Sequence, residues 1–153
     1  MKDSYFEYII VVGCSRFGTN IATNLSLSGK DVVIIDVENN SFRKLSKSYS
    51  GFEIIGDATD IDVLINAGIK KATMLVAATN DDDVNIAVSL IAKKVFNVNK
   101  VISRLYDSEK EVAYKDTNIS LIEPITLTIN EFEKLIQMDE SKTNVLTKRV
   151  GVC

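Results

Sequence analysis

Short runs of valine and isoleucine recur along this chain, and a stretch with helical spacing separates each run from the next. The runs are Tyr8–Val12, 32–36, 53–55, 74–78, 101–104 and a weaker Ser120–Ile122. They are nearly unbroken apolar segments, the pattern of strands covered on both faces of a parallel sheet rather than on one. Helices are predicted near 18–28, 40–49, 62–67, 82–96 and 108–116. Strand and helix in alternation demand right-handed crossovers, and six strands so spaced fit the order 3-2-1-4-5-6.

The expected fold is therefore α/β: a Rossmann-like, doubly wound, parallel six-stranded sheet. After Pro124 an additional C-terminal helix is predicted over about 126–138, with Ile129, Phe132, Leu135 and Ile136 at helical spacing. Residues 1–138 are taken as the nucleotide-binding domain and 139–153 as a polar C-terminal tail. At 153 residues, 46% of them hydrophobic and 25% charged, the chain has enough apolar material for one core without staples. A net charge of -3 argues against a nucleic-acid partner. No apolar run reaches the roughly 18 residues of a membrane span, and the N-terminus has no basic start followed by an apolar core. Direct membrane insertion is thus not expected, and a cytoplasmic location is.

The catalytic menu is short. The sequence has no histidine, and its two cysteines, Cys14 and Cys153, form no metal or disulfide framework. Tyr106 and Lys110 share the Y-x-x-x-K spacing of short-chain dehydrogenases, which leaves a small NAD-dependent oxidoreductase as the alternative function. The expectation is that the chain is not an enzyme, with no catalytic residue and no metal ligand assigned.

Four segments carry the chemistry, each at the carboxyl end of a predicted strand. GCSRFG, from Gly13 to Gly18, follows the first strand. Gly13 would make the tight turn and Gly18 would let the helix pack close, with Ser15 where a second glycine usually admits a pyrophosphate. The Ser15 hydroxyl could donate to a phosphate oxygen, and the helix beginning near Phe17 would aim free N–H groups at it. Asp36 ends the second strand about 20 residues on, where a carboxylate accepts from ribose hydroxyls and repels a 2'-phosphate. GDATD follows the third strand: Gly56, Asp57 and Ala58 would approach an adenine ring, while Asp60 caps the next helix. ATNDDDVN follows the fourth, with Thr79 and Asn80 over the cleft. Asp81, Asp82 and Asp83 are read as a capped helix start rather than a metal site.

With these residues in view, the chain from about 8 to 136 resembles the RCK or TrkA-N nucleotide-binding domain of the Trk/Ktr potassium-uptake regulators. The resemblance rests on VVGCSRFGTNIA, VVIIDVENN, VISRLYD, the segment around LIEP, and above all GDATDIDVLINAGIKKATMLVAATNDDDVN. It implies a cytosolic regulatory subunit that binds an adenine nucleotide, NAD(H) or ATP/ADP/AMP, and gates a membrane potassium transporter. It also implies a homodimer that can build a higher-order ring, held peripherally at the inner face of the membrane through the transporter. Carried over, Gly13, Cys14, Ser15, Arg16, Phe17 and Gly18 surround the phosphates and Asp36 with Val37 the ribose. Gly56, Asp57 and Ala58 then meet the adenine, with Thr79 and Asn80 flanking. Arg16 would reach a terminal phosphate on a neighbouring subunit, and Arg104 would make a phosphate or intersubunit contact. The chain departs from the family pattern in having Ser15 for glycine, and Glu123 before Pro124 where many relatives place an acid after the proline. It also ends before the smaller C-terminal ligand-binding domain that many relatives carry.

Overall fold

A computed structural model describes residues 7–150, with side chains described through residue 145. Six strands form one sheet: β1 (Tyr8–Val12), β2 (Asp31–Asp36), β3 (Phe52–Ile55), β4 (Met74–Ala77), β5 (Lys100–Arg104) and β6 (Ser120–Ile122). Their order is β3-β2-β1-β4-β5-β6, and every pairing is parallel. β1 lies at the centre, with Ile9 in register with Val32 on one side and Met74 on the other. The chain reverses direction across the sheet between β1 and β4, which opens a crevice at their carboxyl ends.

Successive residues of a strand point to opposite faces, and here both faces are covered. On one face Ile10, Val12, Val33, Ile35 and Leu75 pack with Leu64 of α2 (Ile61–Asn66) and Val88 of α3 (Asp82–Leu90). On the other, Ile9, Val11, Val32, Ile34 and Val76 pack with Ala22 of α1 (Arg16–Leu27) and with Phe42. This two-sided burial is the physical origin of the unbroken Val/Ile runs.

Two expected α-helices are instead 3-10 segments, Asn39–Lys44 and Ser108–Tyr114. After Lys44 the serines bond locally: the Ser46 hydroxyl accepts from the Ser48 N–H at 3.2 Å, offering the backbone an alternative to a helix. At the second segment Asp116 and Asn118 take positive φ angles of 59° and 57°, which no right-handed helix can continue through. α3 passes into a π-helical turn, Ile91–Val95, whose Lys93 ammonium donates to the carbonyls of Val98 and Asn99 at 3.2 and 2.8 Å.

The chain divides into two compact units after Ile122. The second unit holds α4 (Pro124–Val150), which runs through the stretch expected as a polar tail. Pro124 supplies a preorganised first position, and no further proline or glycine interrupts the sequence before Gly151. Ile129, Phe132, Leu135 and Ile136 are all exposed on α4. Among the described residues no helix is long and apolar enough to cross a membrane.

Candidate functional site

The turn after β1 is built by close backbone approach. Gly13 has a φ of 104°, and a Cβ there would lie 2.7 Å from the Thr79 backbone. A Cβ on Gly18 would collide with the Gly13 carbonyl oxygen, so the first turn of α1 sits directly on the loop that precedes it. Both glycines thus do what their places in the motif suggest.

Ser15 does something different from what was expected. Its hydroxyl donates to the Ala78 carbonyl at 2.6 Å and accepts the Gly18 N–H at 3.0 Å. A hydroxyl has one proton, and here that proton ties the turn to the end of β4 and is not free for a phosphate. Ser15 is the N-cap of α1. With the Gly18 N–H capped and the Thr19 N–H on the Ser15 carbonyl at 2.9 Å, helix geometry leaves the N–H groups of Arg16 and Phe17 without intrahelical partners. An anion here would be met by backbone, not by the serine hydroxyl.

Asp36 closes the other side of the turn. Its Oδ2 accepts the Cys14 N–H at 2.7 Å, and its Oδ1 accepts the Glu38 N–H at 2.8 Å. Each oxygen keeps a second lone pair, so the carboxylate is oriented by backbone and still able to accept hydroxyls. Cys14 is 1% exposed, and burial pushes its thiol up to about 12, with the negative charges of Asp36 and Glu53 adding to the shift.

In the loop after β3, Asp57 accepts from the Thr59 hydroxyl and N–H at 2.7 and 2.9 Å, bonds that hold its carboxyl below the usual range. Ala58 is buried, and Asp60 caps α2 by accepting the Asp62 N–H at 2.9 Å.

The loop after β4 rests on a residue that sequence reasoning missed. Asn85, completely buried on α3, accepts the Thr79 N–H and hydroxyl at 3.0 and 2.7 Å. Its amide donates to the carbonyls of Thr79 and Arg104, each at 3.1 Å, which completes all four of its bonds. The signal was present in ATNDDDVN, where Asn85 falls one turn beyond the cap on the helix face turned toward the sheet. The acidic triplet divides its labour. Asp81 caps α3 through the N–H groups of Asp83 and Val84, at 2.8 and 3.3 Å. Asp82 accepts the N–H groups of Tyr106 and Asp107, both at 2.9 Å, and Asp83 pairs with Lys110 at 2.8 Å. Lys110 is thus paired with an aspartate, while the Tyr106 ring faces Arg104.

These loops enclose a cleft of about 410 Å³. Of the residues singled out in the sequence, Gly13, Asp36, Val37, Gly56, Asp57, Ala58, Thr79 and Asn80 line it, joined by Val12, Ile35, Asp81 and Val84. Cys14, Ser15, Arg16, Phe17, Gly18 and Arg104 do not; the first five belong to the turn beside the cleft, with Arg16 exposed to solvent, and Arg104 ends β5. An apolar floor with a carboxylate at one lip and helical N–H groups at its edge suits a nucleoside bearing phosphate.

The TrkA-N domain model matches residues 9–123. The chain is 32% identical over 124 residues to the Trk system potassium uptake protein TrkA of Streptomyces coelicolor, covering 81% of this chain and 56% of that protein. It is 39% identical over 109 residues to the TrkA homolog of Pyrococcus horikoshii, covering 71% of this chain and 48% of that one. It therefore spans about half the length of these relatives. Among solved structures, the Kef CTD of Shewanella denitrificans in its AMP-bound form superposes with a TM-score of 0.68 at 25% identity, over 95% of this chain and 89% of that one. The GsuK channel bound to NAD superposes with a TM-score of 0.72 at 24% identity, over 88% of this chain and 24% of that one. With sheet order, glycine turn, acidic lip and family model in agreement, this chain belongs to the TrkA-N domain family.

Proposed function

We propose that this chain is the nucleotide-binding regulatory domain of a potassium-uptake system, a binding module and not an enzyme. The observation that carries the reading is the cleft at the sheet reversal. Asp36 is held by two backbone N–H groups with lone pairs to spare, next to a helix N-terminus with open donors. The ligand is an adenine nucleotide, NAD(H) or ATP/ADP/AMP, as in the AMP- and NAD-bound neighbours. Asp36 takes the ribose, the N–H groups of Arg16 and Phe17 take the phosphate, and Asp57 and Ala58 border the base. Tyr106 and Lys110, engaged with Arg104 and Asp83, offer no acid–base pair to a substrate.

The names of the relatives support a membrane potassium transporter as the partner, which would hold the domain at the cytoplasmic face of the membrane. The exposed apolar stripe of α4 supports self-association into a homodimer or ring. The exposure of Arg16 supports a contact with a terminal phosphate on a second copy. Nucleotide state then biases subunit arrangement through differential contacts, and a coupling of about 1–3 kcal/mol is enough to shift the balance.

Native mass spectrometry of gently purified protein identifies the retained nucleotide and the assembly together. In calorimetry, Asp36→Ala should weaken every adenosine ligand by about tenfold or more, the value of charge-assisted hydrogen bonds. Equal affinities for wild type and variant would remove the site assignment.

A further inference from the structure

Because all six strands are parallel, they begin at one end of the sheet, opposite the cleft. Lysines gather at that end. Lys30 precedes β2, Lys70 and Lys71 precede β4, Lys93 and Lys94 lie in the π-helical turn that leads to β5, and Lys100 opens β5. At about 4.8 Å per strand, the row from β2 to β5 spans about 14 Å. The acids at the same strand ends are Glu7, Asp31 and Asp116, the last beside Lys115.

The charges of this row stay unmatched within the protein. Among the described residues the ion pairs are Lys110–Asp83 and Lys134–Glu131, so no lysine of the row meets a carboxylate. Lys70 and Lys94 are exposed. Lys93 is held by the carbonyls of Val98 and Asn99, Lys100 by the Ser120 hydroxyl at 2.6 Å, and Lys71 by the face of Tyr8, 4.3 Å from the ring centre. Such partners position an ammonium without neutralising it. Helix dipoles do not explain the row: α1, α2 and α3 have no basic residue in their last turns, and Lys30 and Lys100 belong to no helix.

The opposite end of the sheet exposes Asp57, Asp60, Asp62, Asp81 and Asp83, so a net charge of -3 conceals one basic and one acidic end. Two large apolar side chains stand exposed next to the lysines. Leu27, the last residue of α1, is 64% exposed, and Val95, the last of the π-helical turn, is 59% exposed. α1 and α3 cover opposite faces of the sheet, so these two residues flank the row from both sides. Lysines with isolated apolar side chains among them suit a surface that lies on a membrane interface.

We propose that the lysine-lined end of the sheet docks on the anionic lipid headgroups of a membrane, with Leu27 and Val95 against the interface and the cleft turned away from it. This is adsorption to the surface, not insertion. Acidic lipid suits the face better than a transporter's own loops do, because cytoplasmic loops of membrane proteins carry an excess of Lys and Arg and would repel it. In this orientation the acidic end faces solvent and the cleft stays open to its ligand. The inference rests on the reading of the chain as part of a membrane transport system.

Co-sedimentation of the whole chain with vesicles tests it, using phosphatidylcholine alone and phosphatidylcholine with phosphatidylglycerol as about a third of the lipid. At about 0.1 M salt wild type should partition at least about a hundredfold more strongly onto the anionic vesicles, and at about 1 M salt most of that preference should vanish. Lys70→Gln combined with Lys94→Gln should weaken the partition by about thirtyfold, from about 1 kcal/mol for each lysine. Lys110→Glu, which changes the net charge equally at the cleft end, should leave it within about threefold. Val95→Ser should weaken it by about fivefold, and no change there would remove the apolar contact. Equal partition onto both vesicles, or an equal loss in Lys110→Glu, overturns the docking. Displacement by duplex DNA at matched phosphate concentration overturns it too, by assigning the face to nucleic acid. The assay needs neither nucleotide nor transporter, so its failure is distinct from failure of the reading beneath it, which native mass spectrometry would show as protein retaining no nucleotide.

Discussion

Replacing Asn85 with alanine should cost the domain about a third of an ordinary protein's stability, although Asn85 does not line the cleft. The amide makes four hydrogen bonds inside a completely buried site, and alanine makes none. Some of the loss is recovered locally: the Thr79 hydroxyl can turn to the Asp81 carbonyl at 3.0 Å, and the Thr79 carbonyl keeps Arg104. The Thr79 N–H loses its acceptor outright, which costs about 2 kcal/mol, and the lost bond to the Arg104 carbonyl adds about 1. A total of about 3 kcal/mol compares with the 5–15 kcal/mol of a typical domain. With an m-value of about 2 kcal/mol/M, the urea midpoint should fall by about 1.5 M. The sequence has no tryptophan, so far-UV circular dichroism is the suitable probe. Thr79→Val, which removes only the hydroxyl, should couple to Asn85→Ala by more than about 0.5 kcal/mol in a double-mutant cycle. A loss below about 1 kcal/mol, or strictly additive variants, would refute the idea that Asn85 holds up the loop over the cleft.

Further outcomes follow from the glycine turn and the buried thiol. Gly18→Ala gains about 1 kcal/mol of helix propensity, but its Cβ meets the Gly13 carbonyl, and overpacking should leave a net loss of about 2 kcal/mol. Gly29, with a φ of 79° and nothing within 4 Å of its added Cβ, should lose only about 1 kcal/mol on the same change; the reverse ranking in urea melts would contradict the packing account. Cys14 should resist iodoacetamide at pH 8 until urea unfolds the chain, as read by peptide mapping. Because the folded state holds the Cys14 proton to about 12 and the unfolded state releases it near 8.5, the unfolded chain binds fewer protons between these values. Stability should therefore fall as pH rises above about 8.5, and Cys14→Ser should flatten that part of the profile. Rapid native alkylation of Cys14 would show that the turn opens far more readily than its packing allows.

The strands were legible because two-sided burial writes itself into sequence as unbroken Val/Ile runs, and six strands so spaced fit the order found, with its reversal at β1/β4. Asp36, Asp60 and Asp81 were legible because capping and strand-end roles depend on local spacing. What could not be read locally depended on groups distant in sequence. The Ser15 proton is spent on Ala78, 63 residues away, and Asn85 owes its role to Thr79 and to the end of β5. The two 3-10 segments and the full length of α4 failed for another reason: periodicity finds the face of a helix, whereas its pitch and end depend on serine side bonds, positive-φ residues and the absence of breakers.

The double hold on Asp36 has a consequence for how fast and how cheaply the cleft can be filled. A surface carboxylate ordinarily samples several rotamers, and freezing a mobile side chain takes roughly 0.5–1.5 kcal/mol from the affinity of whatever it binds. Here the backbone of Cys14 and Glu38 has already done the freezing. Ligand exchange at that lip should then proceed with little rearrangement of the carboxylate, leaving any conformational response to be generated elsewhere.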